Sequence, residues 1–329
     1  MEAATGPKLV PGYRHVPGNH CGSTALRNLA AFHGVELTEE MAFGLGAGAC
    51  FFYIVLENQS PSRFTNGRAA RLEENFVELT GAPLALRTDE DTGAAWEMAR
   101  DAVDSGRPVI LITDLYHLDH YGNSAHFPGH AVVLAGYDDD VAYLSDTAFE
   151  ELQTTKLENL AKARSEGNPV FPLAGHMFEL PEGAELSDES LHAHVPRAVE
   201  RAAKEMLEPT MGEFQGIPAL RRLAGEVGGW PEAAEDWQWC ARFLYQVIER
   251  RGTGGGNFRA MYARFLEEAG YAESAICAEV SARWTALAEA AHAASESEDA
   301  KPELWSAVTT EAERVLAAED ELWTELAAA

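Results

Sequence analysis

The sequence predicts an α+β chain, mixed to about residue 150 and mainly helical from there to residue 329. Three observations carry that prediction. Apolar runs at 51–56 (FFYIVL), 108–113 (PVILIT) and 130–137 (HAVVLAGY) have the length and composition of buried strands. Between them, apolar residues recur at helical spacing. Beyond Ser187 nearly every stretch reads as helix, punctuated by Gly or Pro.

In order, the first helix opens at Cys21. Ala25, Leu26, Leu29, Ala30 and His33 share its spacing, and Gly34 closes it. Thr38 and Glu39 start a short second helix toward Leu45. After the strand at 51–56, residues 67–81 predict an amphipathic helix through Leu72, Phe76 and Leu79. Residues 91–108 predict another, stopped by Gly106 and Pro108. The strand at 108–113 leads into a polar, aromatic loop, DLYHLDHYGNSAHFPG, a setting where function concentrates. Residues 130–147 predict a β-hairpin turning at Asp138–Asp140. From Leu152 the pattern turns helical through Leu157, Leu160 and Ala161, and 175–183 predicts a lone strand and turn. Helices follow around 187–208, 216–228, 231–251, 256–270, 272–296 and 302–327. The expected domains are 1–150 and 151–329.

Composition narrows the function. Hydrophobic residues make up 46%, enough for a packed core, which excludes global disorder. A net charge of −28 repels phosphate backbones and anionic membranes, so neither nucleic acid nor membrane is an expected partner. The same charge would draw in a cationic substrate, although solubility is its plainer meaning. Cys21, Cys50, Cys240 and Cys277 lie far apart with no CxxC pair, which argues against a zinc ribbon or a dithiol site. The start of the chain carries no basic-then-apolar leader, and no apolar run reaches about 18 residues. A soluble cytoplasmic protein with reduced thiols is expected.

Chemistry concentrates in HVPGNHCGSTALRNLAAFHG (15–34). A cysteine at a helix N-terminus meets N–H groups without intrahelical acceptors and the positive end of the dipole. Both favour a thiolate, and the same N–H groups can hold an oxyanion. A small buried thiol is the plain alternative. His130, after Gly129 at the start of a strand, is placed to act as general base. The hairpin returns its partner strand so that Asp146 neighbours His130 and can fix its tautomer. Singly, His130 could be structural and Asp146 a cap. Together with Cys21 they form a catalytic constellation.

The segments CGSTALRNLAAFHGVELTEE and GHAVVLAGYDDDVAYLSDT resemble papain-like cysteine enzymes, notably the C39-type peptidase layout. HCGSTALRNL, SGRPVILITDLYHLDHY and HFPGHAVVLAGYDDDVAYLSDT are similar to the butirosin-biosynthesis H protein family, and RGTGGGNFRAMYARFLEEAG resembles the helical domain of unknown function that commonly follows it. The resemblance implies a papain-like catalytic domain and an acyltransferase. An acyl group would pass from an acyl or peptidyl carrier-protein thioester to Cys21, then to a small-molecule amine, with His130 as base and Asp146 orienting it. The same triad serves an amidohydrolase, thioesterase or cyclase, and a non-catalytic binding module is the rival from another class. Papain-like enzymes carry a Gln six residues before the Cys. Here that position is His15, so the oxyanion donor is His15 or Asn19.

Several features stay open. Asp114 and Tyr116 are candidates for substrate binding, with a turn-forming Asp as the alternative. His117, His120, His126 and His130 match no standard zinc spacing, so no metal is expected, and no other cofactor. The GTGGGNF loop (252–258) is read as an interhelix turn in preference to an anion cradle. Docking of an acidic carrier needs a basic patch: Arg63, Arg68 and Arg71, or Arg250, Arg251 and Arg259. Apolar stripes in the C-terminal helices belong to a core or to a homodimer contact.

Overall fold

The computed structural model describes residues 6–123, 125–167 and 172–329. Its strands are β1 (Lys8–Leu9), β2 (Ala49–Val55), β3 (Arg63–Arg68), β4 (Ala85–Arg87), β5 (Val109–Asp114), β6 (Pro128–Tyr137), β7 (Val141–Ser145), β8 (Gln153–Lys156) and β9 (Met177–Glu179). Helices α1 (Cys21–Phe32), α2 (Glu39–Leu45), α3 (Leu72–Thr80), α4 (Thr92–Asp104) and α5 (Leu157–Ser165) lie among them. The rest is α6 (Asp188–His192), α7 (Val195–Leu207), α8 (Gly216–Glu226), α9 (Trp230–Ala233), α10 (Trp237–Glu249), α11 (Arg259–Glu268), α12 (Ser274–Ser295) and α13 (Pro302–Ala328). The class is α+β, with a sheet in the first part and helices in the second. Among the described residues no helix is long and apolar enough to cross a membrane.

Two compact units result, and they do not follow a single cut at 150. One joins the residues up to Ala42 with Gly81–Leu191, the other Phe43–Thr80 with His192–Ala329. The strand at 51–56 exists as β2, but it forms its ladder with β3, in a separate two-stranded sheet, and Phe52 adds a single bridge to Gln215. RFTNGR of β3 is polar and lacks alternation, so the pattern hides it, and the helix expected from 67 begins only at Leu72.

In the first unit a fully antiparallel sheet runs β4-β9-β5-β6-β7-β8, with β1 also paired to β6. β5 and β6 are buried almost throughout, which is why they read as continuous apolar runs rather than alternating ones. Val109 and Leu111, Val132 and Leu134, and Ala142 and Leu144 pack with Ala99, Ala102 and Val103 of α4 and with Leu160 and Ala163 of α5. The β6–β7 ladder contains a bulge: Leu134 faces Leu144 while Gly136 faces Tyr143, leaving Ala135 as the extra residue. Two differences from the sequence reading concern short strands. β8 (QTTK) occupies the start of the expected helical stretch, and the strand at 177–179 is not alone but pairs with β4 and β5.

α1 begins at Cys21 because two features shape its entrance. His20 sits in extended backbone as N-cap, and its ring accepts from the Ser23 N–H. Beneath the preceding turn lies Glu39, a buried carboxylate from α2. It accepts from the backbone N–H groups of Asn19 (2.9 Å) and His20 (2.7 Å), from Asn19 Nδ2 (3.3 Å), and from the hydroxyls of Ser23 (3.4 Å) and Thr24 (3.2 Å). Gly18 permits this closeness, since a Cβ there would strike the Thr24 hydroxyl and the Glu39 carboxylate. Gly18 N–H also donates to Thr147 O (3.1 Å), tying the entrance of α1 to the chain just after β7.

In the second unit α12 packs on α10, α11 and α13. Its centre is ionic. Arg259 and Glu319, both fully buried, pair through Nε–Oε1 (2.8 Å) and Nη2–Oε2 (3.2 Å). The indoles of Trp284 and Trp323 donate to the same carboxylate, and Arg259 Nη1 donates to Gly67 O and Asn257 O. The GTGGGNF loop is the interhelix turn expected. Gly254, Gly255, Gly256, Asn257 and Phe258 all have positive φ. Gly255 N–H donates to Thr253 Oγ1 and Gly256 N–H to Glu249 Oε1, so these donors serve the turn rather than an anion.

Two stability outcomes follow. Glu39→Gln turns an amide N–H₂ toward donors that now share a carboxylate, and should cost about 3 kcal/mol in urea unfolding. An unchanged midpoint would show that Glu39 does not support the α1 entrance. Glu319→Ala strands the buried Arg259 guanidinium and should cost about 3–5 kcal/mol. The double variant Arg259→Met/Glu319→Leu should be less destabilised than Glu319→Ala, read from the fluorescence of buried Trp284 and Trp323.

Candidate functional site

Cys21 is half-buried at the first position of α1, whereas Cys50, Cys240 and Cys277 are buried. Burial pushes the Cys50 thiol up to about 12 and raises those of Cys240 and Cys277. Those three thiols are inert by the same argument that makes Cys21 accessible. The Cys21 side chain hydrogen-bonds the His130 ring.

His130 lies near the start of β6, buried at 5% exposure. Carrying the β6–β7 register one step past Val133–Ser145 sets Asp146 opposite Val132, diagonal to His130 on the same face. His130 Nε2 lies 3.1 Å from Oδ1 and 3.0 Å from Oδ2 of Asp146, which leaves Nδ1 as the ring nitrogen turned to Cys21. The structure therefore brings Cys21, His130 and Asp146 into one hydrogen-bonded chain.

Asp146 has no exposure at all and serves more than His130. His120 Nε2 reaches Oδ2 at 2.9 Å, and the Tyr121 hydroxyl donates to Oδ1 at 3.1 Å. His120 Nδ1 in turn meets Thr155 Oγ1 at 3.3 Å. The Tyr121 ring stands edge-on to His130, and Phe149 edge-on to both His120 and Tyr121, enclosing the carboxylate in aromatic surface.

These contacts set the charge states. Burial would lower the His130 pKa, but the Asp146 charge and hydrogen bond, with Cys21 beside it, outweigh that and hold the imidazole well above its ordinary value. Burial would raise Asp146, but the His130 charge and the hydrogen bonds from His120 and His130 hold the carboxyl below its usual range. Burial first, then the Asp146 charge, keeps Tyr121 a neutral phenol donor. The arrangement suits a thiolate–imidazolium pair backed by a buried carboxylate.

The other sequence candidates are placed differently. His15 has both ring nitrogens engaged, Nδ1 with Ser145 Oγ and Nε2 with Phe149 O, each at 2.7 Å. It is thus occupied in holding the chain around Asp146 and does not present a donor for an oxyanion. Asn19 directs its backbone N–H and Nδ2 at Glu39. Asp114 is buried and works as a local cap, Oδ1 accepting from the N–H groups of Tyr116 (3.1 Å) and Phe127 (2.8 Å), while Tyr116 stacks on His126. Neither basic trio forms an exposed patch. Arg68 is buried and donates to Ala69 O, and Arg259 is buried against Glu319. Sequence reasoning missed His120 and Tyr121 as partners of Asp146, and Glu39 as the support of α1. HLDHY offered the signal for the first two, but nothing in linear spacing joins position 120 to 146.

The family Butirosin biosynthesis protein H, N-terminal, matches residues 20–147, and the domain of unknown function DUF4872 matches residues 158–326. None of the curated proteins matches the chain. Among solved structures, a putative C39-like peptidase from Bacillus anthracis is similar at 14% identity and a TM-score of 0.40, covering 55% of this chain and 100% of its own. The chain belongs to the DUF4872 family, and ahead of that region it carries a butirosin biosynthesis protein H N-terminal domain that holds the Cys21–His130–Asp146 cluster.

Proposed function

We propose that the chain is a cysteine-dependent acyltransferase that forms an amide from a thioester donor and a small-molecule amine. The observation that carries this reading is the hydrogen-bonded chain from half-buried Cys21 through His130 to fully buried Asp146. The match of residues 20–147 to a family named for butirosin biosynthesis supports a place in specialised metabolism.

Each residue then has a defined task. The Cys21 thiolate attacks the thioester carbonyl. First-turn N–H groups of α1 face the developing oxyanion, a role that replaces the one sought for His15. The His130 imidazolium protonates the departing thiol as the tetrahedral intermediate collapses to acyl-Cys21. The amine then attacks that thioester, and His130, now neutral, accepts its proton. Collapse to the amide returns the thiolate and leaves His130 protonated, ready for the next turnover. Asp146 stabilises the imidazolium and holds the ring, with His120 and Tyr121 fixing the carboxylate. Thioester-to-thioester exchange is near balance and thioester-to-amide transfer is downhill, so no further energy source is needed. With each basic trio broken by a buried arginine, a free acyl thioester is the donor we favour, and an acyl carrier or peptidyl carrier protein is its competitor in the test.

Intact-protein mass spectrometry after mixing with carrier-bound and free acyl thioesters tests the acyl-enzyme. Wild type should gain one acyl mass that added amines discharge, and Cys21→Ala should gain none. Discharge by water alone would make the enzyme a hydrolase. No adduct with any donor, together with undiminished product formation by Cys21→Ala, would remove Cys21 from the chemistry.

The pH dependence has a definite sign. In wild type the His130 pKa, raised to about 10, keeps the imidazolium charge beside Cys21 through acidic and neutral pH, and that charge is lost only as pH rises through this value. In Asp146→Asn the opposing charge is gone and burial dominates, so His130 loses its proton at lower pH. The iodoacetamide alkylation of Cys21 should then rise only toward the ordinary thiol value of about 8.5, an alkaline displacement of more than one pH unit. Superimposable alkylation profiles would show that Asp146 does not govern the pair.

A further inference from the structure

In the folded chain the four histidines between Asp114 and His130 do not act as one set. His120 and His130 converge on Asp146, whereas His117 and His126 face Asp114. One donor atom from each of Asp114, His117 and His126 lies within 4.8 Å of the other two. Asp114 Oδ2 is 2.7 Å from His126 Nδ1. A fourth donor stands at the edge, with Glu166 Oε2 3.1 Å from His117 Nε2. That ring nitrogen is buried, and the carboxylate beside it is not aligned for a hydrogen bond.

Two imidazoles and two carboxylates form a donor set of the kind that holds zinc and its neighbours. Around a tetrahedral ion, with bonds of about 2.0–2.1 Å, such donors stand roughly 3.3 Å apart. The three donors stand within 4.8 Å of one another and must close toward that spacing, and the exposed His126 is free to adjust. Support behind the donors is already built. Asp114 spends Oδ1 on the Tyr116 and Phe127 N–H groups, which fixes the carboxylate and turns Oδ2 to the cluster. The Tyr116 ring stacks on His126 with centroids 4.0 Å apart and meets His117 edge-on. Calcium and magnesium prefer all-oxygen shells, so the imidazoles select a first-row transition cation.

We propose that Asp114, His117 and His126, closed by Glu166, bind one divalent transition cation, with zinc as the occupant. The sequence reading found no site because its four histidines were tested as one ligand set, and because the carboxylates come from the end of β5 and the end of α5. The bound ion has a positional consequence. It ties both ends of the 114–127 loop to each other and to the C-terminus of α5, and that loop carries His120 and Tyr121 to Asp146. The site is separate from the Cys21 cluster and acts on it only through the loop.

The test uses the full chain carrying Cys21→Ala, which removes the one accessible thiol as a competing ligand. After chelator treatment and dialysis, it is titrated with Co²⁺ and then Zn²⁺. One Co²⁺ per chain should bind with a visible ligand-field spectrum typical of four nitrogen and oxygen donors, and one Zn²⁺ should displace it. His126→Ala and His117→Gln, added singly, should each weaken uptake at least tenfold, with circular dichroism matching the parent. Because His126 is exposed, its variant keeps the fold and isolates the ligand. Absence of stoichiometric uptake by the parent overturns the proposal. So does uptake unchanged in both histidine variants, which would place the ion at His120, His130 and Asp146 instead.

Discussion

Everything at the site depends on one carboxylate that water never reaches. Asp146 is fully buried and receives four contacts, from His130 Nε2 to both oxygens, from His120 Nε2 and from the Tyr121 hydroxyl. A buried charge of this kind is costly unless every lone pair is engaged. Meeting that requirement dictates much of the surrounding chain. The loop after β5 must fold back to deliver His120 and Tyr121, β6 must begin beside the end of β7 to deliver His130, and Phe149 must cover the aromatic side. His15, bridging Ser145 and the Phe149 carbonyl, then braces the backbone on either side of the aspartate.

The nucleophile has its own buried carboxylate. Glu39 gathers the N–H groups of Asn19 and His20 and two hydroxyls of α1, so the turn before Cys21 is held from below. The first unit thus uses two buried anions for two purposes: Asp146 sets the charge on the base, and Glu39 sets the position of the thiol. In the second unit a third, Glu319, is paired with Arg259 and two indoles.

Much of this was legible in the sequence, for reasons that explain what was not. Helices with strong apolar periodicity and a clear stop, such as α1 before Gly34 and α4 before Gly106, fall where the pattern places them. The hairpin from His130 to Asp146 was readable because its turn and both apolar strands lie within one short window. Polar strands such as β3 and β8 carry no alternation and stayed hidden. His120, Tyr121 and Glu39 were missed for a different reason. Their roles arise from contacts across dozens of residues, and a polar residue in a loop looks the same whether or not a buried carboxylate awaits it. The basic trios failed conversely, since Arg68 and Arg259 have the composition of a surface patch but are buried.

The bulge at Ala135 bears on how the chain can change length. It sits between the acidic turn at Asp138–Asp140 and the stretch of β6 that carries His130. Residues added or lost in the turn beyond it would disturb the Asp138 and Asp140 contacts to Val141, Tyr143 and Leu157 but leave that stretch of β6 in register. Loss of Ala135 itself would only straighten β6, since Leu134–Leu144 and Gly136–Tyr143 would become consecutive pairs, whereas loss of a residue between His130 and Leu134 would shift His130 one place along the ladder and send its side chain to the opposite face of the sheet. His130 would then point away from both Cys21 and Asp146. Insertions and deletions are therefore filtered by where they fall on β6: a change at the turn or at the bulge leaves His130 in register, while the same change between the bulge and His130 disassembles the site.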